Sequence, residues 1–185
     1  MDLANCKDRL SLAGVKFDEG LSSKELELIE GRFQFHFPPD LREFLGCALP
    51  ISKGWIDWRR WSDSEIQARL NWPFEGICFD IQHNAFWLDR WGEKPAELTK
   101  AFERARATVE HGPRLIPIYG HRYMPDCPCI PGNPIFSVYQ TDIICYGANL
   151  LDYLSNEFPT EFGRAAFIPP TSVRKIEFWS DIVDS

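Results

Sequence analysis

Apolar residues recur at helical spacing in the first well-patterned stretch of the chain, where Leu26, Ile29 and Phe33 fall on one face. Ser22 and Glu25 form a capping box before them, and Leu21 with Leu26 supplies the hydrophobic staple around it, so the pattern predicts a helix from about residue 21. A second helix starts at the Pro38-Pro39 pair, because the missing N–H of Pro39 is harmless in a first turn. It turns Leu41, Phe44 and Leu45 to the core and ends between Gly46 and Pro50. A further capping box, Ser62 with Glu65, opens a short helix bearing Ile66 and Leu70.

The period then changes. Ile77-Cys78-Phe79 and Ala85-Phe86-Trp87-Leu88 read as strands joined by a turn at Gln82, His83 and Asn84, and Trp91-Gly92 closes the unit. The longest helix is expected from Pro95 to about Glu110, with a stripe of Leu98, Ala101, Phe102, Ala105 and Val109. His111, Gly112 and Pro113 stop it. Strands follow at Leu115–Tyr119, Ile135–Tyr139 and Ile143–Tyr146, with a loop from Gly120 to Asn133. Asn149 and Asp152 cap a helix holding Leu150, Leu151 and Leu154, and a last short helix is expected around Val173, Ile176, Trp179 and Ile182.

These elements predict an α+β fold: a single domain whose mostly antiparallel sheet of four to six strands has helices packed around it. The strands are too few for a barrel and too poorly interleaved with helices for a doubly wound sheet. Residues 1–20 are expected as an N-terminal tail or peripheral helix, 21–158 as the α+β domain, and 159–185 as a C-terminal extension packed on it.

Composition narrows the function classes. Fourteen Phe, seven Trp and five Tyr in 185 residues supply a core that a disordered chain lacks. Twenty basic against twenty-seven acidic residues give a net charge of −7, which repels a phosphate backbone, so nucleic acid is not an expected partner. No apolar run reaches the 18 or so residues of a membrane span, and the first twelve residues lack the apolar core of a signal peptide. A cytoplasmic protein is expected, and its six cysteines read as reduced thiols, with Cys78 and Cys145 as buried residues of strands.

Candidate chemistry is sparse. His121, Asp126, Cys127 and Cys129 offer ligands that zinc accepts, yet C-x-C is not the usual bite and no second pair follows. A nucleophilic Cys127 or Cys129 with His121 as base needs a lowered thiol pKa and an oriented imidazole. Asp80, Asp89, Glu93 and Asp142 are explained by capping and turns, and phosphate-binding glycine loops are absent. No metal, cofactor or catalytic set is therefore expected. Trp55, Trp58 and Trp61 have i, i+3, i+6 spacing, which would stack the indoles on one helical face as core, pocket lining or partner anchors. Arg59 and Arg60 interleave with them, and aromatics with arginine dominate interface hot spots. Those five residues, with Arg122 and Tyr123, are the candidate protein-binding set.

The segment Phe37-Pro38-Pro39-Asp40-Leu41-Arg42-Glu43-Phe44-Leu45 resembles the F-P-x-[DE]-hydrophobic-x-x-F-L signature of the SUKH superfamily, also called the Smi/Knr family. The likeness continues through Gly54–Trp58, Trp72–Asp80, Asn84–Trp87 with Trp91-Gly92, Ile116–Tyr123, Gly132–Gln140 and Asp142–Ile144, and covers roughly residues 21 to 158. The later motifs are similar to those of a bacterial subgroup. The resemblance implies an α+β domain with a strongly bent sheet and helices around it. It also implies an immunity protein that binds and neutralises a polymorphic toxin, with no agreed catalytic residues. The Cys127-x-Cys129 loop and the chain after Pro159 depart from the family pattern. Two other readings stay open: a general scaffold or signalling module, and a small metal-dependent or cysteine hydrolase.

Overall fold

Caps and apolar stripes set the helices. In the computed structural model, which describes residues 3–183, the order is α1 (Leu3–Leu12), β1 (Phe17–Glu19), α2 (Ser23–Phe33), α3 (Pro39–Cys47), β2 (Ala48–Pro50) and α4 (Asp63–His83). A 3-10 turn at Asp89–Trp91 leads to α5 (Leu98–His111), β3 (Leu115–Tyr119), β4 (Arg122–Pro125), β5 (Ile135–Tyr139), β6 (Asp142–Gly147), α6 (Leu150–Glu157) and α7 (Trp179–Val183). Both capping boxes form: the Ser22 and Ser62 hydroxyls accept from the backbone of Glu25 and Glu65, whose carboxylates reach back to the cap N–H groups. Asn149 caps α6 by accepting from the Asp152 N–H.

The chain is a mixed α+β domain. A four-stranded antiparallel sheet runs β3-β4-β5-β6, and a separate two-stranded sheet pairs β1 with β2. Side chains alternate across the larger sheet. Ile116, Ile118, Met124 and Ile135 enter one core with α1, α2, α3 and α6, while Leu115, Tyr123, Phe136, Val138 and Ile143 enter a second core with α4, α5 and α7. Helices thus pack around this sheet and cover both of its faces. Leu115–Ile118 and all of β4 are buried, and strands buried on both sides need cover on both sides.

The strands expected at Ile77–Phe79 and Ala85–Leu88 do not exist. The first is the end of α4, which runs 21 residues and is longer than α5; the second is an irregular approach to the 3-10 turn. Cys78 accordingly lies on a helix. Along α4 the buried residues are Ile66, Leu70, Pro73, Ile77, Asp80 and Ile81, a single stripe at helical spacing that passes through Pro73 unbroken.

The described residues ahead of α2 include α1 and β1, with Cys6 and Leu10 fully buried in the first core. At the other end Ile176, Phe178, Trp179 and Ile182 fill the second core, and the Trp179 indole N–H donates to the Pro113 carbonyl at 2.6 Å.

Candidate functional site

Residues 55 to 61 are turns rather than a helix, so the indoles do not stack on one face. Trp55 is buried against Phe44, Tyr119 and Phe158, with its ring parallel to that of Phe158. Trp58 is buried edge-on to Phe35 and Phe37. Trp61 is half-buried at the margin of the same core.

The arginines between them are committed to the fold. Arg59 grips Glu25 through two nitrogens at 2.7 and 3.2 Å and donates to the carbonyls of Glu19 and Gly20. Its hydrogen bond, joined by the Ser22 donors, holds the Glu25 carboxyl down at about 2. Arg60 spans Asp57 and Asp18 at 3.1 and 2.5 Å. Together they tie the tryptophan turns to β1 and the start of α2.

Arg122 and Tyr123 are likewise interior. The Arg122 guanidinium donates to Glu157 at 2.9 Å and Ser137 at 2.7 Å, contacts the His121 ring nitrogen Nε2, and lies 3.8 Å from the Tyr146 ring centroid. Tyr123 is fully buried.

The structure does not gather the C-x-C loop into a metal centre: among the described residues, no group of three or more His, Cys, Asp or Glu side chains could hold an ion. His121 sits against Arg122, while Cys129 points its thiol at the Phe37 carbonyl, 3.8 Å away. Burial, then the adjacent Asp126 carboxyl, pushes the Cys127 thiol up, so it stays protonated and is a poor nucleophile.

What the fold does build is a groove along α4 and α5. Its wider end, a cleft of about 580 Å³, is floored by Leu70, Pro73, Phe74, Leu115 and Trp179 and rimmed by Arg106, Glu110, Arg114, Asp126 and Glu177. Asn71, Phe74 and Arg106 also line a shallower hollow of about 330 Å³ that continues past Glu75, Cys78, Phe79, Gln82 and Phe102. The larger volume is within the usual range of ligand and side-chain pockets.

The rim is held in place. The Arg106 guanidinium lies 4.3 Å over the Phe74 ring and 3.6 Å from Glu110, and Arg114 donates to the Phe33 and Gln34 carbonyls. The Arg114 N–H donates to Asp126 at 2.8 Å, and burial raises the Asp126 carboxyl despite that bond.

Two large aromatic side chains stand open on α4, and one of them, Phe79, lines the shallower hollow. Trp72 is 41% and Phe79 46% exposed, the first with Arg69 over its ring and the second against His83 at 4.5 Å between centroids. They are seven residues apart on one helix, hence on one face. Sequence reasoning missed this pair because it ended the helix before the strand it read at Ile77-Cys78-Phe79; the i, i+7 spacing is visible only once the helix is continuous.

Among the described residues no helix is long and apolar enough to cross a membrane. No protein-family model matches the chain, and neither any curated protein nor any solved structure does.

Proposed function

We propose that this chain is a non-catalytic, cytoplasmic protein-binding domain of the SUKH type, an immunity protein that neutralises a bacterial toxin by covering its active site or substrate groove. The observation that carries the reading is the exposed pair Trp72 and Phe79 on one face of α4, with Phe79 lining the shallower end of the α4–α5 groove. Exposed aromatics with arginine nearby are the usual anchors of a protein interface; Arg69 lies over the Trp72 ring, and Arg106 lines the same hollow as Phe79.

The segments that carry the family resemblance support it from inside the fold. Phe37 meets Trp58, Phe44 meets Trp55, and Trp55 meets Tyr119, so three separate motifs close one aromatic core. Such residues build the scaffold and leave the binding surface free to vary. The net charge of −7 favours a basic partner surface, which suits a toxin that acts on nucleic acid.

The test is capture from the native host with the wild-type chain and with a Trp72→Ala/Phe79→Ala variant, followed by mass spectrometry and a toxicity assay of the captured protein. A partner carrying a toxin domain, lost at least tenfold with the variant and inhibited at one-to-one stoichiometry by the wild type, supports the proposal. Equal capture of unrelated proteins by both chains defeats it.

A further inference from the structure

The wide end of the α4–α5 groove, about 580 Å³, joins an apolar floor to a charged rim, and the pairing of each rim charge decides what the cleft can receive. Both of its guanidinium groups are engaged within the chain. Arg106 lies 4.3 Å over the Phe74 ring and 3.6 Å from Glu110. Arg114 donates to the Phe33 and Gln34 carbonyls. His111, also on the rim, sets Nδ1 against the Ala107 carbonyl.

The carboxylates are not matched in the same way. Glu110 is taken by Arg106, but Glu177 makes no ion pair and no side-chain hydrogen bond among the described residues. Asp126 accepts from the Arg114 N–H at 2.8 Å and from Cys127, yet among the described residues no arginine or lysine forms an ion pair with it. Burial raises its carboxyl despite these donors, so the ionised form is left under-compensated where it stands. Arg106 and Arg114 against Glu110, Asp126 and Glu177 leave the rim with negative charge in excess.

We infer that this cleft receives an arginine side chain of a partner protein, with its aliphatic stem on the apolar floor and its guanidinium against the Asp126 and Glu177 carboxylates. The inference rests on the reading of the chain as a protein-binding domain and adds the side chain that the partner supplies. A guanidinium is planar and more weakly hydrated than an ammonium, so it gives up less on entering a cleft with aromatic walls. Its five donors can serve two carboxylates at once. The floor already accepts this group, since Arg106 rests on Phe74. An acidic or neutral side chain would leave both carboxylates without a cation. The net charge of −7 draws a basic surface toward the chain at long range, and salt weakens that attraction.

Nuclear magnetic resonance titration of the full chain with acetyl-Gly-Arg-Gly-amide tests this, with the lysine and citrulline counterparts in parallel. Citrulline has the shape of arginine without its charge. The Trp179 indole N–H, bonded to the Pro113 carbonyl in the cleft wall, is the reporter. The arginine peptide is expected to shift that signal with a millimolar dissociation constant, the lysine peptide to bind more weakly, and the citrulline peptide to leave it in place. Glu177→Gln should weaken binding about threefold, and Glu177→Gln with Asp126→Asn about tenfold. Glu43→Gln, the same change of charge outside the cleft, leaves binding unaltered. Citrulline or lysine peptides that bind as well as arginine overturn the inference, as does an unmoved Trp179 signal or a Glu177→Gln chain that binds like the wild type. The peptide needs no native partner, so this failure is distinct from a failure of the Trp72→Ala/Phe79→Ala capture.

Discussion

The Tyr123 hydroxyl donates to the Arg69 carbonyl oxygen at 2.9 Å, and that is the carbonyl which Pro73 leaves without its helical partner. In α4 the amide of residue 73 would bond residue 69; proline has no N–H to give. A phenol from β4 takes its place, and burial pushes the Tyr123 pKa well up, which keeps the hydroxyl protonated as a donor. A helix that would otherwise be interrupted is completed by the sheet it packs on.

Tyr123→Phe is therefore expected to cost about 1–3 kcal/mol, the penalty of leaving a part-buried carbonyl unmet. In a Pro73→Ala background the residue-73 amide can serve Arg69, so the same change is expected to cost less. A double-mutant cycle by urea denaturation should return a coupling of about 0.5–3 kcal/mol. A coupling of zero would disprove the compensation.

This bond also explains where sequence reasoning stopped. The α+β class, both capping boxes, α2, α3, α6 and strands β3, β5 and β6 were legible because each rests on local spacing and local caps. Helix α4 is cut short in the sequence reading because the hydrophobic period changes after Leu70 and Ile77-Cys78-Phe79 reads as a strand. What keeps it whole comes from Tyr123 and from the hairpin beyond, through contacts that span 54 residues or more of the chain and that no local window samples. The candidate site suffered the same way. Trp55 and Trp58 stood out by residue type, but burial depends on Phe35, Phe37, Phe44 and Phe158, whereas Trp72 and Phe79 became a surface pair only on the completed helix.

Two glycines should respond in opposite senses to alanine. At Gly31 in α2 an added Cβ meets nothing within 4 Å, so Gly31→Ala is expected to stabilise by about 0.4–1 kcal/mol. At Gly76 in α4 the Cβ would come within 2.7 Å of the Gln140 Cα, a backbone atom, so helix and hairpin must separate. Gly76→Ala is expected to lower the melting temperature despite the better helix propensity of alanine; a gain at both sites would refute the close approach.

Acid should weaken the fold through His121. Burial, then the Arg122 and Arg69 guanidinium groups, lower its pKa, because a charged ring there is poorly solvated and repelled. The Arg122 guanidinium also donates to the ring nitrogen, whose lone pair a proton would take. The unfolded chain binds this proton near the ordinary value of about 6.5 and the folded chain only at lower pH. The contribution is thus complete above that value and is lost as pH falls toward the folded pKa. Melting curves from pH 8 to pH 5 should show this loss, and His121→Gln should flatten it.

Asp80 and Thr141 provide the last test, one helical turn beyond Gly76. The Asp80 carboxylate accepts from the Thr141 N–H at 2.9 Å and hydroxyl at 2.6 Å through one oxygen, and from the Asn84 side chain at 2.6 Å through the other. Burial alone would raise this carboxyl, but the Thr141 and Asn84 donors outweigh burial and leave its pKa below the ordinary value. Asp80→Asn removes the charge and turns an amide donor toward groups that themselves donate, an expected loss of about 1–3 kcal/mol at neutral pH. Because the folded pKa is depressed, the wild-type advantage is full above the unfolded value of about 3.9 and fades as pH falls through the folded one. Urea denaturation at successive pH values should therefore show the two proteins converge in acid. A difference that persists undiminished to the lowest pH at which both fold would mean that the ionised carboxylate is not what holds the β5–β6 turn to α4.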